Sequence, residues 1–298
     1  MISDVIFDNL NINTESSKDY SFRDNCGGLN IKKEYYEIKT EEESKEFSKP
    51  KGKYELISIG DVLFYLEKEI SICIEEVAES IKNMIGKISK HDRILIVGLG
   101  NRHISSDSLG AKVVGKINIT IENKHLPKVM AIAPSVMGLT GIETVDIVEG
   151  IVDKVEPTHV IIIDSLCASG VERLGRSIQI TNNGICPGAG IGNKRKCIGH
   201  NIADKVFSIG VPLLIYASTF VQDALGSHNI NVSDIEGIMQ NNKKSPNFRV
   251  FNDMLNNLKS VFDDDLEGIV VSIKDIEECV TILSQIIANA INIALGVA

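Results

Sequence analysis

The segment Ala133-Pro134-Ser135-Val136-Met137-Gly138-Leu139-Thr140-Gly141-Ile142-Glu143-Thr144, with the apolar run Val160-Ile161-Ile162-Ile163 ending in Asp164 about twenty residues on, decides the fold class. It reads as a strand closing in a tight turn, a helix crossing back, and a second strand delivering a carboxylate at its tip. The same design stands upstream. Arg93-Ile94-Leu95-Ile96-Val97-Gly98-Leu99-Gly100 runs into a polar loop holding Asp107. Two acidic residues, Asp107 and Asp164, are therefore expected from two strand tips on one rim. Working outward, strands are predicted at 93–98, 128–133, 159–164, 176–181 and 208–217. Helices are predicted at 107–117, 141–155, 219–225 and 274–295. Residues 61–88 carry apolar side chains at helical spacing through Val62, Leu66, Ile70, Ile74, Val77 and Ile81. Alternating elements with near-continuous Ile/Val strands predict an α/β fold with a mostly parallel central sheet covered on both faces.

Before this core, two alternating segments, around Lys33–Ile38 and Tyr54–Ile59, flank a short helical stretch and a turn at Pro50-Lys51-Gly52-Lys53. They read as an edge addition to the sheet. Residues 1–30 are polar and aperiodic, and read as a flexible leader. Residues 31–298 then form a single domain, with an Asn- and Asp-rich insertion or cap around 226–268. The last twenty residues carry no charge. Ser284, Gln285, Asn289 and Asn292 fall on one helical face and Ile282, Leu283, Ile286, Ile287, Ala290 and Ile291 on the other, so this is a helix docked on a core rather than a membrane span.

The chain of 298 residues has a net charge of −9, and aromatics make up only 5% of it, with no Trp. These features argue against direct nucleic-acid binding through phosphates or base stacking. Six cysteines form no CxxC pair, and the N-terminus lacks the basic and apolar regions of a secretory signal, so reduced intracellular thiols are expected. The histidines form neither HxH nor HExxH, so no metal site is predicted. No cofactor is predicted either.

Each candidate site residue has a plain structural reading beside the chemical one. Asp107 in Ser105-Ser106-Asp107-Ser108 has the composition of a helix N-cap. Asp164 either caps a turn or sits as a buried carboxyl at a strand mouth, where two carboxyls can share acid and base roles. Gly98-Leu99-Gly100 lacks the third glycine of a dinucleotide loop, because His103 occupies its place, and reads as a tight turn. Cys167 has no nearby His to activate it. The Gly-rich loop Gly184–Asn193 can bring backbone N–H groups close to a ligand, and Lys194-Arg195-Lys196 follow it.

Taken together, Val97-Gly98-Leu99-Gly100-Asn101, Ser106-Asp107-Ser108-Leu109-Gly110, the 133–144 segment, Ile163-Asp164-Ser165-Leu166, Ile178-Gln179-Ile180, Pro187-Gly188-Ala189-Gly190-Ile191-Gly192-Asn193-Lys194-Arg195 and Gly210-Val211-Pro212 resemble the spore germination proteases. The resemblance spans roughly residues 50–298. It implies a three-layer α/β/α sandwich similar to hydrogenase-maturation endopeptidases. It implies an atypical aspartic endopeptidase without a metal, with its two catalytic aspartates on Asp107 and Asp164. Gly138, Thr140, Glu143, Gly188, Gly190 and Asn193 are the corresponding candidates for substrate binding. It further implies a zymogen, a homotetramer, a cytoplasmic location in the spore core, and small acid-soluble spore proteins as substrate, cleaved in germination.

The chain departs from the family pattern at several positions. Phe22-Arg23-Asp24-Asn25-Cys26-Gly27 stands where the family has an Arg-Thr-Asp-Leu-Ala-type processing segment. Asn182-Asn183-Gly184 stands for Asp-Thr-Gly, Tyr216 replaces an acidic residue, and Cys167-Ala168-Ser169 replaces a small-residue pair and Arg. Two other functions fit the same residues: a metal-dependent maturation-type endopeptidase, and a non-catalytic paralogue that binds spore proteins.

Overall fold

The computed structural model describes residues 20–23, 29–47, 49–121, 123–168, 170–185, 197–226 and 269–298. Its framework is one nine-stranded sheet. The strands are β1 (Tyr20–Arg23), β2 (Asn30–Ile38), β3 (Gly52–Ser58), β4 (Arg93–Gly98), β5 (Lys128–Ile132), β6 (His159–Ala168), β7 (Ser177–Thr181), β8 (Val206–Tyr216) and β9 (Val270–Val271). Their order is β1-β2-β3-β7-β8-β6-β4-β5, with β9 on β8.

The sheet is mixed, which corrects the mostly parallel expectation. The pairings β4–β5, β4–β6 and β6–β8 are parallel. The five others are antiparallel. The reason is local. The crossovers through α3 (Leu109–Val114) and α5 (Thr144–Val155) each return the chain to a parallel neighbour. The short connection from β6 to β7 turns the chain back, so β7 runs antiparallel to both of its neighbours, β8 and β3. The edge addition forms as predicted: β2, a short helix α1 (Glu41–Phe47), and β3, which joins the main sheet through β7. Of the leader, Tyr20–Arg23 pairs with β2, which itself begins at Asn30; residues 1–19 and 24–28 lie outside the described residues. The insertion beyond Gly226 does too, up to residue 268.

Strand alternation sorts the core onto two faces. Ile94, Ile96, Ile161, Ile163, Ile209 and Val211 pack with α2 (Glu67–Ile85), α3 and α7 (Ile276–Ala294). Leu95, Val97, Val160 and Ile162 pack with α5 on the other side. The helices α4 (Met137–Thr140) and α6 (Ala217–Gly226) complete the described elements. The predicted 61–88 helix starts late: a single turn at Val62–Phe64 precedes α2, and Leu66, assigned to the apolar face, is 72% exposed at the helix start. There Glu69 accepts a hydrogen bond from the Leu66 backbone N–H at 3.0 Å, which fixes the first turn of α2.

By length and composition α7 is apolar enough to cross a membrane, but it lies in the core. Two of its predicted polar-face residues are buried. Asn292 accepts from the Asn118 N–H at 3.0 Å and donates to the Lys116 carbonyl at 3.2 Å, while the Ser284 hydroxyl bonds the Thr281 carbonyl. Their burial is tolerable because they are hydrogen-bonded. Cys73, Cys167 and Cys279 are free and buried, whereas Cys197 is held in a disulfide, against the expectation of reduced thiols throughout.

Candidate active site

In the parallel half of the sheet, β4 feeds α3 and moves outward to β5, whereas β6 feeds the opposite side toward β8. The chain thus leaves the C-terminal ends of β4 and β6 in opposite directions along the sheet, the order that makes a topological switch point. This topological switch point is where open α/β sheets bind ligands. The two strands stay paired up to Gly98 and Ile163, and one further bond runs from the Leu99 N–H to the Ile163 carbonyl at 2.8 Å. Asp164 is the next residue. It is not a strand tip as predicted, because β6 continues to Ala168 against β8. It is instead the point at which β4 lets go of β6. Alternation puts it on the face of Val160 and Ile162. Asp164 is 8% exposed, and its Oδ1 accepts from the Ser165 N–H at 2.9 Å.

Asp107 is held at the end of β4 by another route. The turn Ser105–Asp107 packs against β6, β8 and α7. It is drawn in by glycine contacts. A Cβ on Gly98 would meet the Gly110 carbonyl oxygen at 2.1 Å, so the start of α3 lies directly on the end of β4. Gly100 has φ +95°, and a Cβ there would meet the Asp107 carbonyl oxygen at 2.1 Å and Oδ1 at 2.6 Å. The Gly98-Leu99-Gly100 pattern is thus explained by packing. Asp107 Oδ2 accepts from the Asn101 backbone N–H at 2.8 Å. Burial pushes its carboxyl above the ordinary range, and that single N–H offsets only part of the effect.

A raised native pKa means that the folded chain binds the proton more tightly than the unfolded chain. For this group, stability falls as pH rises from the unfolded pKa through the native one. Asp107→Asn removes that penalty and keeps an oxygen for the Asn101 N–H. We expect its unfolding midpoint near neutral pH to equal or exceed the parent's, with the difference shrinking on acidification. Thermal melts across that pH range check this. A midpoint depressed equally at every pH would mean that Asp107 is held for packing alone.

A family model described as germination protease matches residues 9–266. The chain belongs to the germination protease family. A germination protease of Clostridium perfringens (strain SM101) is 37% identical over 286 residues, covering 89% of this chain and 84% of that one. The germination protease of Caldanaerobacter subterraneus is 33% identical over 287 residues, covering 90% and 86%. That of Bacillus subtilis is 40% identical over 172 residues, covering 53% and 45%. Germination proteases are peptidases, so the switch point is considered for peptide hydrolysis.

Of the site residues that the germination protease resemblance suggested, Asp107 follows β4 and Asp164 lies in its parallel neighbour β6, one residue past the last β4 pairing. Gly138, Thr140 and Glu143 lie on the β5–α5 connection at the same sheet edge. Thr140 and Gly138 are exposed, and Glu143 immediately precedes α5. The Thr140 hydroxyl is turned back on its own loop, donating to the Ile142 carbonyl at 3.0 Å. Gly188, Gly190 and Asn193 lie outside the described residues. Their loop leaves from Ile185 and returns at Ile198, whose backbones pair at 2.8 Å on the Asp164 side of the sheet. His103 is exposed, and Cys167 is buried in β6.

Two features escaped the sequence reading. Gln179 is buried in β7, in one row with Asp164: Asp164 pairs with Gly210, and Gly210 with Gln179. Gly210 between them has no side chain, and the Leu166 side chain takes the space: a Cβ on Gly210 would strike it at 2.5 Å. A glycine inside the apolar run Val206–Tyr216 was the available signal, because a strand glycine marks close approach. Ser135, just after β5, has φ +69°. Such a conformation is strained for serine and clusters at functional sites.

Proposed function

We propose that this chain is the endopeptidase that begins degradation of small acid-soluble spore proteins during germination, in the spore core, using Asp107 and Asp164 to activate water. What supports the reading is membership of the germination protease family together with two aspartates at the switch point of the sheet, one after β4 and one in its parallel neighbour β6. Asp107, whose protonated form burial favours, donates its proton to the scissile carbonyl oxygen as water attacks and takes it back when the carbonyl re-forms. Asp164 takes the proton of the attacking water and passes it to the leaving nitrogen. Gly138, Thr140, Glu143, Gly188, Gly190 and Asn193 are the substrate-binding residues of this reading, with Gln179, across Gly210 from Asp164 in the same row, as a further polar group. The three-layer sandwich reading, with its likeness to hydrogenase-maturation endopeptidases, belongs to the same proposal. So do removal of the N-terminal leader and assembly as a homotetramer.

The rival metal-dependent reading is separated by one experiment. Among the described residues no three His, Cys, Asp or Glu side chains gather as a metal site. Purified protein incubated with a small acid-soluble spore protein should cut it equally well with and without a chelator. Elemental analysis should find no stoichiometric zinc or nickel. Activity lost on chelation and restored by one metal per chain would replace the two-aspartate mechanism. Binding without any cut would favour the non-catalytic paralogue.

A further inference from the structure

We propose that the cleft between the β2–β3 hairpin and the C-terminal end of α2 is a binding site for a small zwitterion of the α-amino-acid class, its ammonium held by Glu55 and its carboxylate by Lys53. The site is separate from the two aspartates, since β7 and β8 stand between β3 and β6. It does not depend on the protease reading.

The cleft has a volume of about 390 Å³, within the range of small-ligand sites. Tyr35, Glu37, Lys53 and Glu55 line it from the hairpin, and Asn83 and Met84 from α2. Glu55 is 1% exposed. Its Oε1 accepts from the Ser80 hydroxyl at 2.5 Å, but Oε2 is buried with no hydrogen-bond partner. Tyr35 sits directly across the ladder, and its hydroxyl eases the carboxylate charge without closing a bond of normal geometry on Oε2. The nearest buried cation is committed elsewhere. Lys33 Nζ lies 2.7 Å from Glu76 Oε2 and 3.5 Å from Glu79 Oε2.

An empty cleft therefore leaves Glu55 in an unfavourable state. Burial drives its carboxyl toward the protonated form. An unmet buried polar atom bears its full desolvation penalty. A leucine, or a glutamine bonded to Ser80, would tie β3 to α2 with less penalty, so the strand position is ill suited to a purely structural role. A bound ammonium supplies both the missing donor and the missing charge.

The second half of the site follows from register. Lys53 is two residues before Glu55, so both side chains project from one face of β3, with Cα atoms about 6.5–7 Å apart. Lys53 is exposed and makes no ion pair among the described residues. Its cross-strand neighbour Glu37 is engaged instead by Lys39 at 3.5 Å. One unmet anion and one unmet cation thus face one cleft at a spacing that a zwitterion bridges. Met84 and the Tyr35 ring leave an apolar wall for a side chain.

The test is calorimetric titration of the full chain with glycine, L-leucine, isoamylamine and 4-methylpentanoic acid. The last two are leucine without its carboxylate and without its amine. We expect L-leucine to bind with a Kd of about 0.1–10 mM, and each half-molecule at least tenfold more weakly. Glu55→Gln, which keeps the Ser80 bond, should weaken leucine at least tenfold. Lys53→Met, at an exposed position, should do the same. The proposal is overturned if neither glycine nor leucine binds the folded parent in this range, if leucine binds both variants as it binds the parent, or if isoamylamine matches leucine.

Discussion

Asp107→Asn and Asp164→Asn should each slow cleavage of a small acid-soluble spore protein by about 10²–10⁴-fold, the usual worth of a positioned acid or base. Neither change should unfold the chain. Asparagine is nearly isosteric, and each aspartate accepts a backbone N–H that an amide oxygen can also accept, from Asn101 and from Ser165. Circular dichroism and a thermal melt check the fold, and a rate measurement checks the chemistry. The double variant should lose little more than either single one, because two groups acting on one water are not additive. A folded single variant that still cuts at near-parental rate would remove that aspartate from the mechanism.

Gly100→Ala should be nearly as damaging, through a different route. The backbone there has φ +95°, and the new methyl would lie 2.1 Å from the Asp107 carbonyl oxygen. Strain and overlap together should cost about 2–4 kcal/mol. Relief requires the Ser105–Asp107 turn to move off β4, which takes the carboxyl from its place at the end of that strand. We expect activity to fall at least 10²-fold, because a displacement of about 1 Å is enough for that. Gly86→Ala is the control. Gly86 has φ +80° with open space around it, so it carries the conformational penalty without touching the site. A Gly100→Ala protein with parental activity would mean that Asp107 needs no fixed position.

The parallel half of the fold was legible because β4, β5 and β6 are apolar runs separated by helical periods. Ile161 and Ile163 face one layer while Val160 and Ile162 face the other, which leaves no polar position to confuse the pattern. The antiparallel half was legible as strands but not as pairings. Nothing local to Ser177–Thr181 says that it will sit between β3 and β8. Strand order alone set Asp107 and Asp164 on neighbouring parallel strands, one after β4 and one in β6. That Asp164 lies inside β6 could not be foreseen, since strand length there is set by β8, more than forty residues downstream. Gln179 and Glu55 were read as ordinary members of alternating strands. Their burial depends on which strand lies beside them, and that is a tertiary fact.

The most direct measurement is an intact-mass time course of a purified small acid-soluble spore protein incubated with this chain, with the Asp107→Asn, Asp164→Asn double variant run in parallel. The account predicts discrete fragments, each pair summing to the substrate plus one water, from the parent chain and an intact substrate from the double variant. An intact substrate with the folded parent, or the same fragments at the same rate from the double variant, would contradict it.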